Sequence, residues 1–273
     1  MIDLLENKSL IQNDEEMLSA FLKNKYLEKT NRMAQPVFPN SGIYVKYIKR
    51  ILDLGISVPA FAVCLPFNIV FGICTFFDVG MPIFYRQTRM GKDGKPFELV
   101  KFRNMNNNTD KDGILLPAKE RVTRFGKIMR KFSLDELLNF WFVIKGDMSI
   151  IGPRPLPVFF YDRMSDRHKM RTAVKPGLEC PRVIYGDPDQ CQYQNQFEND
   201  IWYVEHVSFL TDLRMMLLLF IMPFNLRKRS KAAMGNGYFA GYDQNGIATT
   251  LNRFKRMYPE DWRKIEEESR GLE

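Results

Sequence analysis

The 273-residue sequence has few of the side chains on which several protein classes depend. It contains four cysteines and two histidines, and no Cys-x-x-Cys pair occurs. This excludes a disulfide-rich scaffold and a zinc ribbon, and we expect reduced thiols in a cytosolic setting. We also expect no secretory signal peptide, because the chain starts with acidic and polar residues instead of a basic segment followed by an apolar run.

Acidic side chains are outnumbered, with 32 Asp and Glu against 40 Lys and Arg, so the formal net charge is +8. Hydrophobic residues make up 45% of the chain, which is enough for a folded core of one or two domains and excludes a disordered tail. The basic excess implies an anionic partner, which is a nucleic acid, a phosphate-bearing substrate or an acidic membrane.

One apolar run, residues 54–77, contains no charged residue and is long enough for a helix that crosses a bilayer. Pro59 and Pro66 lie inside it, and each bends a helix. Basic residues flank both ends, as on the cytoplasmic side of membranes: Lys46, Lys49, Arg50, Arg86, Arg89 and Lys92. Two structures fit: a helix broken near Pro66 that enters and leaves through one leaflet, and a kinked transmembrane helix.

A second apolar run, residues 215–224, is too short to span a bilayer. Basic residues follow it at Arg227, Lys228, Arg229 and Lys231. The pattern favours an interfacial helix beside a lipid-binding basic cluster, with a buried core helix as the alternative.

Turn signals and periodicity predict the other elements. Residues 82–87 and 97–102 are strand-like, and the Asp-Gly turn at 93–94 predicts a β-hairpin between them. We expect residues 1–45 to be a polar, partly helical lead-in. Helices are predicted over residues 121–130, 161–173 and 258–268, and residues 197–207 are predicted to be helical or mixed.

A Ser-Leu-Asp-Glu segment carries the candidate chemistry. Ser133 and Glu136 match a capping box, which predicts that a helix begins at Ser133 and ends near Gly146. This alone explains both residues structurally. The functional alternative is that Asp135 attacks phosphorus and Glu136 holds Mg²⁺, with the phosphate bound by Arg130 and the free N–H groups of the helix start.

Arg154 lies between Pro153 and Pro155, whose rings fix the backbone on both sides. An arginine held in this way suits bidentate phosphate binding. The alternative is that this proline-rich segment is a polyproline ligand for a partner domain.

Five motifs follow one another along the chain: Lys49-Arg50, Lys101-Phe102-Arg103, Ser133-Leu134-Asp135-Glu136-Leu137, Lys145-Gly146-Asp147-Met148-Ser149 and Gly152-Pro153-Arg154-Pro155. Together they resemble the bacterial initiating sugar transferases, the monotopic phosphoglycosyl transferases. The resemblance covers about residues 47–224, and the motifs are specific as a set although no single one is decisive.

The resemblance implies an α+β, mainly helical fold in a monotopic membrane protein. It implies one re-entrant helix kinked at Pro66, a small β-hairpin and interfacial amphipathic helices. Four segments are expected: an N-terminal extension (1–45), the re-entrant membrane helix (46–78), a catalytic domain (79–228) and a C-terminal extension (229–273). By the same resemblance, the protein belongs in the bacterial inner (cytoplasmic) membrane, with its catalytic domain on the cytoplasmic face.

The resemblance also implies the reaction, in which a sugar 1-phosphate moves from a nucleotide diphosphate sugar, mostly a UDP-sugar, to polyprenyl (undecaprenyl) phosphate. Asp135 matches the nucleophile that forms a covalent phosphosugar intermediate and expels UMP, and Glu136 matches the residue that binds Mg²⁺. Lys101, Arg130 and Arg154 match residues that bind phosphate groups. The expected partners are the nucleotide sugar, polyprenyl phosphate and acidic membrane lipids, but no nucleic acid; the oligomeric state stays open, with a dimer as one option.

Two segments depart from the family pattern. Leu65 stands where the family usually has a serine before the kinking proline, so Asn68 is left to satisfy the backbone groups that the proline frees. Residues 178–186 replace a Trp-Ala-Gln type segment of the family. Either Arg182 or Tyr185 takes over contacts with the donor, or the donor sugar is unusual.

Two other functions remain as alternatives. The altered segment motivates a non-enzymatic family member that acts as a membrane-bound assembly or binding subunit, although the intact Asp135, Glu136, Arg130 and Arg154 argue against it. The net charge also allows a nucleic-acid-binding protein. That hypothesis is weaker, because the basic residues cluster beside apolar runs and no aromatic stacking motif accompanies them.

Overall fold

Helices and three two-stranded sheets make up the part of the chain that the computed structural model describes, which is residues 2–111, 113, 115–116, 118–183, 191–221 and 237–270. The sheets pair β1 (Phe84–Met90) antiparallel with β2 (Pro96–Phe102), β3 (Ser149–Ile151) parallel with β4 (Gly177–Glu179), and β5 (Phe239–Tyr242) antiparallel with β6 (Ala248–Thr250). The mainly helical α+β prediction is confirmed in these ranges.

The α-helices vary from one turn to more than thirty residues. A π-helical turn, Tyr44–Ile48, precedes the second of them, and 3₁₀ turns lie at Lys92–Gly94, Leu134–Glu136 and Met170–Ala173. In chain order the α-helices are α1 Ile2–Met33, α2 Lys49–Val79, α3 Ala118–Arg121, α4 Arg124–Phe132, α5 Asn139–Lys145, α6 Val158–Tyr161, α7 Asp166–Lys169, α8 Gln192–His206, α9 Phe209–Ile221, α10 Leu251–Met257 and α11 Pro259–Arg270.

The predicted helices differ in accuracy. Those over residues 197–207 and 258–268 are confirmed by α8 and α11. The single helix over residues 161–173 is wrong, because the chain forms α6, α7 and a 3₁₀ turn there. Ser165 begins a new helix by accepting a hydrogen bond from the His168 N–H with its side chain, which interrupts the longer helix.

The apolar helix α2 runs without interruption through Pro59 and Pro66. Together with the π-helical turn it forms 36 residues that are long and apolar enough to cross a membrane. At its first residue, Lys49 Nζ lies 2.5 Å from Asp212 Oδ2 of α9 in a buried ion pair. The re-entrant path stays a prediction.

Helix α2 contacts the following part of the chain near its start, in its middle and at its end. Near its start, Asp53 accepts hydrogen bonds from Ser149 Oγ and the Ile150 N–H. In the middle, the Phe61 and Trp141 ring centroids are 5.7 Å apart. At the end, the Arg103 guanidinium donates to the carbonyls of residues 79 and 80. Both ends of the helix therefore lie against the same body of residues 79–221.

Asn68 does not perform the capping that its position suggested. Its side chain is buried, yet neither the amide nitrogen nor the amide oxygen has a hydrogen-bond partner within the described residues. The expectation that Asn68 satisfies backbone groups freed by the proline next to Leu65 is therefore wrong.

The predicted hairpin is confirmed as β1 and β2, which pair in register from Phe84 opposite Phe102 to Met90 opposite Pro96. At its tip, Asp93 has a φ of 55° and is followed by a glycine with positive φ. An Asp-Gly pair accepts this left-handed backbone at low cost, so the turn signal read from the sequence has the expected physical basis.

The helix predicted to begin at Ser133 begins elsewhere. Ser133 has a φ of 56° and closes α4, since its N–H donates to the carbonyls of Met129 and Arg130, and it makes no side-chain cap on the turn that follows. A 3₁₀ turn, Leu134–Glu136, comes next, before α5. The capping-box assignment is thus wrong: a residue in the left-handed conformation ends a helix. The predicted end near Gly146 is confirmed by its φ of 103°.

The two ends of the chain pack together. Leu18 and Leu22 of α1 share a core with Ala240, Phe254 and Trp262, where β5 and the last two helices meet. A second cluster joins residues of β5 and β6 to α6 and α8: Phe160, Phe197, Phe239, Tyr242 and Ala248. The described parts of the two predicted extensions therefore form one layer, and this layer is attached to the central part of the chain.

The second apolar run lies in a helix, α9, which begins six residues earlier than the run at residue 215; its interfacial position stays a prediction. Met215 is fully buried, whereas the side chains of Leu210 and Leu217 are 73% and 56% exposed, so the helix has one buried face and one exposed apolar face. The basic cluster at residues 227–231 lies outside the described residues.

Candidate active site

Asp135 and Glu136 lie on the short 3₁₀ turn between α4 and α5. The left-handed residue that ends α4 redirects the chain here, so these carboxylates stand at a turn and not on a long helix. Asp135 is buried, with 8% of its surface exposed. The turn is too short to supply the helix dipole that was expected to attract phosphate, so side chains must do so.

Two of the predicted phosphate-binding residues meet at Glu136. Lys101 Nζ lies 2.6 Å and Arg154 Nη2 lies 2.7 Å from the same oxygen, Glu136 Oε1. Burial alone would raise the pKa of Glu136, but the adjacent Arg154 and Lys101 hold it below its ordinary value. Glu136 is therefore an ionised carboxylate between two cations.

The third predicted phosphate-binding residue, Arg130, is linked to the Asp135–Glu136 pair (the dyad) through the side-chain amide of Asn104. Its Nε and Nη2 donate to Asn104 Oδ1 over 3.1 and 2.8 Å, and Asn104 Nδ2 donates to Asp135 Oδ2 over 3.0 Å. Burial raises the pKa of Asp135; nearby Lys101 opposes this, and the charge of Glu136 adds to it. Asp135 is thus desolvated and oriented by the hydrogen bond from Asn104.

A buried ion pair positions the backbone of Arg154. Arg171 donates to Asp200 Oδ2 and also to the Arg154 carbonyl, over 2.9 Å. Pro153 and Pro155 are buried, and their carbonyls accept hydrogen bonds from within the chain. The alternative of an exposed polyproline ligand is therefore wrong, because these prolines are part of the core.

Sequence reasoning missed three residues around the dyad. Asn104 directly follows the Lys101-Phe102-Arg103 motif, which is the signal that could have identified it. Arg89 donates to the Pro155 carbonyl, and its pKa is lowered by burial and by Arg154 beside it. Glu179 Oε2 lies 3.5 Å from Arg154 Nη1. The site therefore alternates cations and carboxylates.

The two residues proposed for donor recognition are not brought to the dyad by the described structure. The side chain of Arg182 is exposed and makes no hydrogen bond or ion pair within the described residues. Tyr185 lies outside the described residues. Their roles stay predictions.

The donor set suits a magnesium ion that is shared with a substrate. Among the described residues, no three His, Cys, Asp or Glu side chains form a cage for a metal ion. Mg²⁺ is commonly bound by one or two carboxylates together with substrate phosphates and water. Glu136 and the neighbouring Asp135 supply such a carboxylate pair, so the residues fit this kind of binding.

Comparison with known proteins yields a match over most of the described core. Residues 44–225 match the family model described as bacterial sugar transferase. The uncharacterized sugar transferase EpsL of Bacillus subtilis (strain 168) is 38% identical over 172 residues, which are 63% of this chain and 84% of EpsL.

Two relatives have names that state a reaction. A UDP-N-acetylgalactosamine-undecaprenyl-phosphate N-acetylgalactosaminephosphotransferase of Aeromonas hydrophila is 34% identical over 182 residues, 63% of this chain. A UDP-glucose:undecaprenyl-phosphate glucose-1-phosphate transferase of Klebsiella pneumoniae is 32% identical over 200 residues, 69% of this chain. The matched regions are 42% and 43% of those two proteins, so this chain spans less than half of their length.

Proposed function

Because the chain belongs to the bacterial sugar transferase family, we propose that it transfers a sugar 1-phosphate from a UDP-sugar to undecaprenyl phosphate. The observation that carries the proposal is the Asp135–Glu136 pair, surrounded by Lys101 and Arg154 and linked to Arg130 through Asn104. The reaction stated in the names of two relatives supports the same substrates.

Asp135 is the proposed nucleophile. Its carboxylate oxygen attacks the phosphorus that carries the sugar, an Asp–O–P bond forms, and the bond to the leaving UMP oxygen breaks with its electron pair. An oxygen of undecaprenyl phosphate then attacks the same phosphorus, which releases Asp135 and leaves the sugar on a lipid diphosphate. The raised pKa of Asp135 supports this role, because a desolvated carboxylate is more basic.

The cations around the dyad allow two anions to approach each other. Lys101 and Arg154 carry N–H donors 2.6 and 2.7 Å from Glu136, and the same groups are placed to bind phosphate oxygens. Arg130 fixes the Asn104 amide, which holds Asp135 in one orientation. Preorganised donors of this kind stabilise the charge that develops in phosphoryl transfer.

Glu136, with support from Asp135, is the residue we propose to hold Mg²⁺. The ion, when bound, offsets phosphate charge and stabilises the leaving phosphate oxygen. Glu136 keeps its negative charge at neutral pH because Arg154 and Lys101 lower its pKa, and this charge is what a metal ligand needs.

The proposed membrane arrangement is monotopic, with α2 re-entering the leaflet from which it came. Contacts at the start, middle and end of α2 with the same body of the chain support this, since a straight crossing would carry one end about 30 Å away from a domain at the surface. We place that body on the cytoplasmic face of the bacterial inner membrane, where nucleotide sugars occur.

The deciding experiment measures UMP release from a panel of radiolabelled nucleotide sugars by membranes that contain the protein, with and without undecaprenyl phosphate and Mg²⁺. Turnover that needs the lipid phosphate and is lost in Asp135→Asn supports the proposal. A folded protein that turns over no donor, and that binds other envelope enzymes, favours the alternative of an assembly subunit.

A further inference from the structure

A cavity of about 530 Å³ lies at the start of the apolar helix α2. Its volume is in the range of small-molecule binding sites. The residues of the proposed active site, Lys101, Asp135, Glu136 and Arg154, are not among those that line it. It is therefore a separate feature of the molecule.

The lining of this cavity is strongly basic. Of its fourteen lining residues, one is acidic, Asp53, and five are Lys or Arg: Lys46, Lys49, Arg50, Lys92 and Lys175. They come from three places in the chain: the start of α2, the tip of the hairpin, and the loop before β4. A convergence of cations from distant segments differs from the solvated basic face of a single helix.

Part of this charge is already neutralised. Lys49 is paired with Asp212, and Asp53 accepts hydrogen bonds from Ser149 and Ile150. Asp53 also attracts Lys175, but five cations face this single acid in the lining, so the cavity keeps an excess of positive charge.

Three ammonium groups in the lining have no acidic partner. Lys46, Lys92 and Lys175 form no ion pair and no side-chain hydrogen bond within the described part of the chain. Asp147, which also acts on Lys175, is paired with Lys145 at 2.9 Å. These donors are available to a ligand.

Arg50 and Lys175 converge on the same point. Arg50 donates to the carbonyls of residues 143 and 144 at the end of α5, which fixes its guanidinium. A Cβ atom at Gly146 would lie 3.5 Å from Arg50 Nη2 and 3.6 Å from Lys175 Nζ. Burial lowers the pKa of Lys175, and Arg50 lowers it further. Two adjacent cations are the arrangement that a bound anion stabilises.

We propose that this cavity is a second anion site that binds the phosphate group of a lipid at the membrane surface. Its position carries the choice of source: the cavity lies at the start of the apolar helix α2, where Tyr47 of the lining and the nearby Ile51 are 65% and 68% exposed, as at a membrane–water boundary. Paired lysine and arginine donors suit a phosphate group. The site lies outside the Asp135 chemistry and does not depend on it.

The test uses the full chain in phosphatidylglycerol nanodiscs and counts retained lipid by native mass spectrometry. We expect one phosphatidylglycerol per chain for the wild type, and at least a tenfold weaker retention for the double variant Lys92→Gln/Lys175→Gln. Lys95→Gln is the matched control, because Lys95 is exposed at the same hairpin tip but does not line the cavity. Thermal unfolding checks that each variant is folded.

A second arm separates the sources of phosphate. Inorganic phosphate added to the protein in neutral detergent is expected to raise the Tm of the wild type and of Lys95→Gln by more than that of the double variant, which keeps only the phosphate-binding groups of the proposed active site. This difference in Tm shift without lipid retention would show that the cavity binds phosphate but not the phosphate group of a lipid, which overturns the proposed lipid ligand. Equal retention by all three proteins, or an equal loss in Lys95→Gln, overturns the proposal, since the attraction would then be a general surface charge effect.

Discussion

Asn104 donates from Nδ2 to Asp135 Oδ2 over 3.0 Å, while its Oδ1 accepts two hydrogen bonds from Arg130. The amide cannot reverse its orientation without losing both contacts, since Arg130 can only donate and an ionised Asp135 can only accept. Asn104 therefore transmits the orientation of the arginine to the proposed nucleophile.

The first prediction concerns this amide. Asn104→Ala removes a donor that favours the charged form of Asp135, so the pKa of Asp135 should rise further and the acid limb of kcat/KM against pH should move to higher pH. Activity at neutral pH should fall about 10- to 100-fold, the value of a hydrogen bond to a charged group. Asn106→Ala, which removes an amide that caps a nearby turn, is the control. An unchanged acid limb would contradict the assignment.

The second prediction separates activity from stability at Asp135. Asp135→Asn should reduce turnover at least about a thousand-fold, because the nucleophile is lost. The folded-state pKa of Asp135 is raised, so the ionised carboxylate opposes folding once the pH rises through that value, and the neutral amide should raise the Tm at pH 7. Asp162→Asn, at an exposed aspartate, should change neither quantity. A variant that stays active would refute the nucleophile.

The third prediction concerns Glu136, whose negative charge stabilises the fold, whereas that of Asp135 destabilises it. The pKa of Glu136 is lowered, so its ion pairs stabilise the fold above the pKa of an unfolded glutamate, and this stabilisation is lost as the pH falls through the folded value. Glu136→Gln should lower the free energy of unfolding by about 1–2 kcal/mol; the figure is modest because Arg154 is 43% exposed and partly screened. Denaturant unfolding at pH 7 measures it, and an unchanged midpoint would contradict the prediction.

The fourth prediction concerns the attachment of α2. Lys49→Met leaves the buried carboxylate of Asp212 without its cation and should cost about 3–5 kcal/mol of stability. Tyr44 and Tyr203 still donate to that carboxylate, so Asp212 is not left wholly unsatisfied. Lys46→Met, at an exposed lysine one turn earlier, should be close to neutral in thermal unfolding. Equal effects of the two variants would show that the ion pair contributes little.

The fifth prediction tests the membrane path. In a background without the native cysteines, Glu28→Cys and Lys95→Cys should both react with an impermeant thiol reagent only when the cytoplasmic side is opened. Glu28 is 79% exposed on α1, and Lys95 is exposed at the hairpin tip, so they lie on either side of α2 in sequence. Labelling of one from outside the cell would exclude the re-entrant helix.

Local chemistry explains which parts of this molecule could be predicted. The hairpin follows from an Asp-Gly turn between strand-like segments, and the apolar helix follows from composition alone. The start at Ser133 was misjudged, because the same four residues satisfy a capping box whether or not the backbone enters the left-handed region. Only packing decides that conformation.

The charged residues of the site could be predicted from the sequence, but the contacts between them could not. Lys101 and Arg154 are separated by 53 positions in the sequence, and both reach one oxygen of Glu136. The link from Arg130 to Asp135 through Asn104 could not be predicted from the sequence, because an asparagine in a polar loop has many ordinary structural roles. Tertiary contacts select among them, and such contacts leave no periodic signal in a single sequence.

The shared core of the two chain ends has a consequence for biosynthesis. Leu18 and Leu22 leave the ribosome more than 200 residues before Ala240 and Phe254, which bury them. At a synthesis rate of about 5–20 residues per second, roughly 10–40 seconds pass between the synthesis of α1 and that of the residues it packs against. The apolar helix α2 is made during that interval, so in the proposed membrane arrangement the nascent chain reaches the membrane before its first helix has a place to pack.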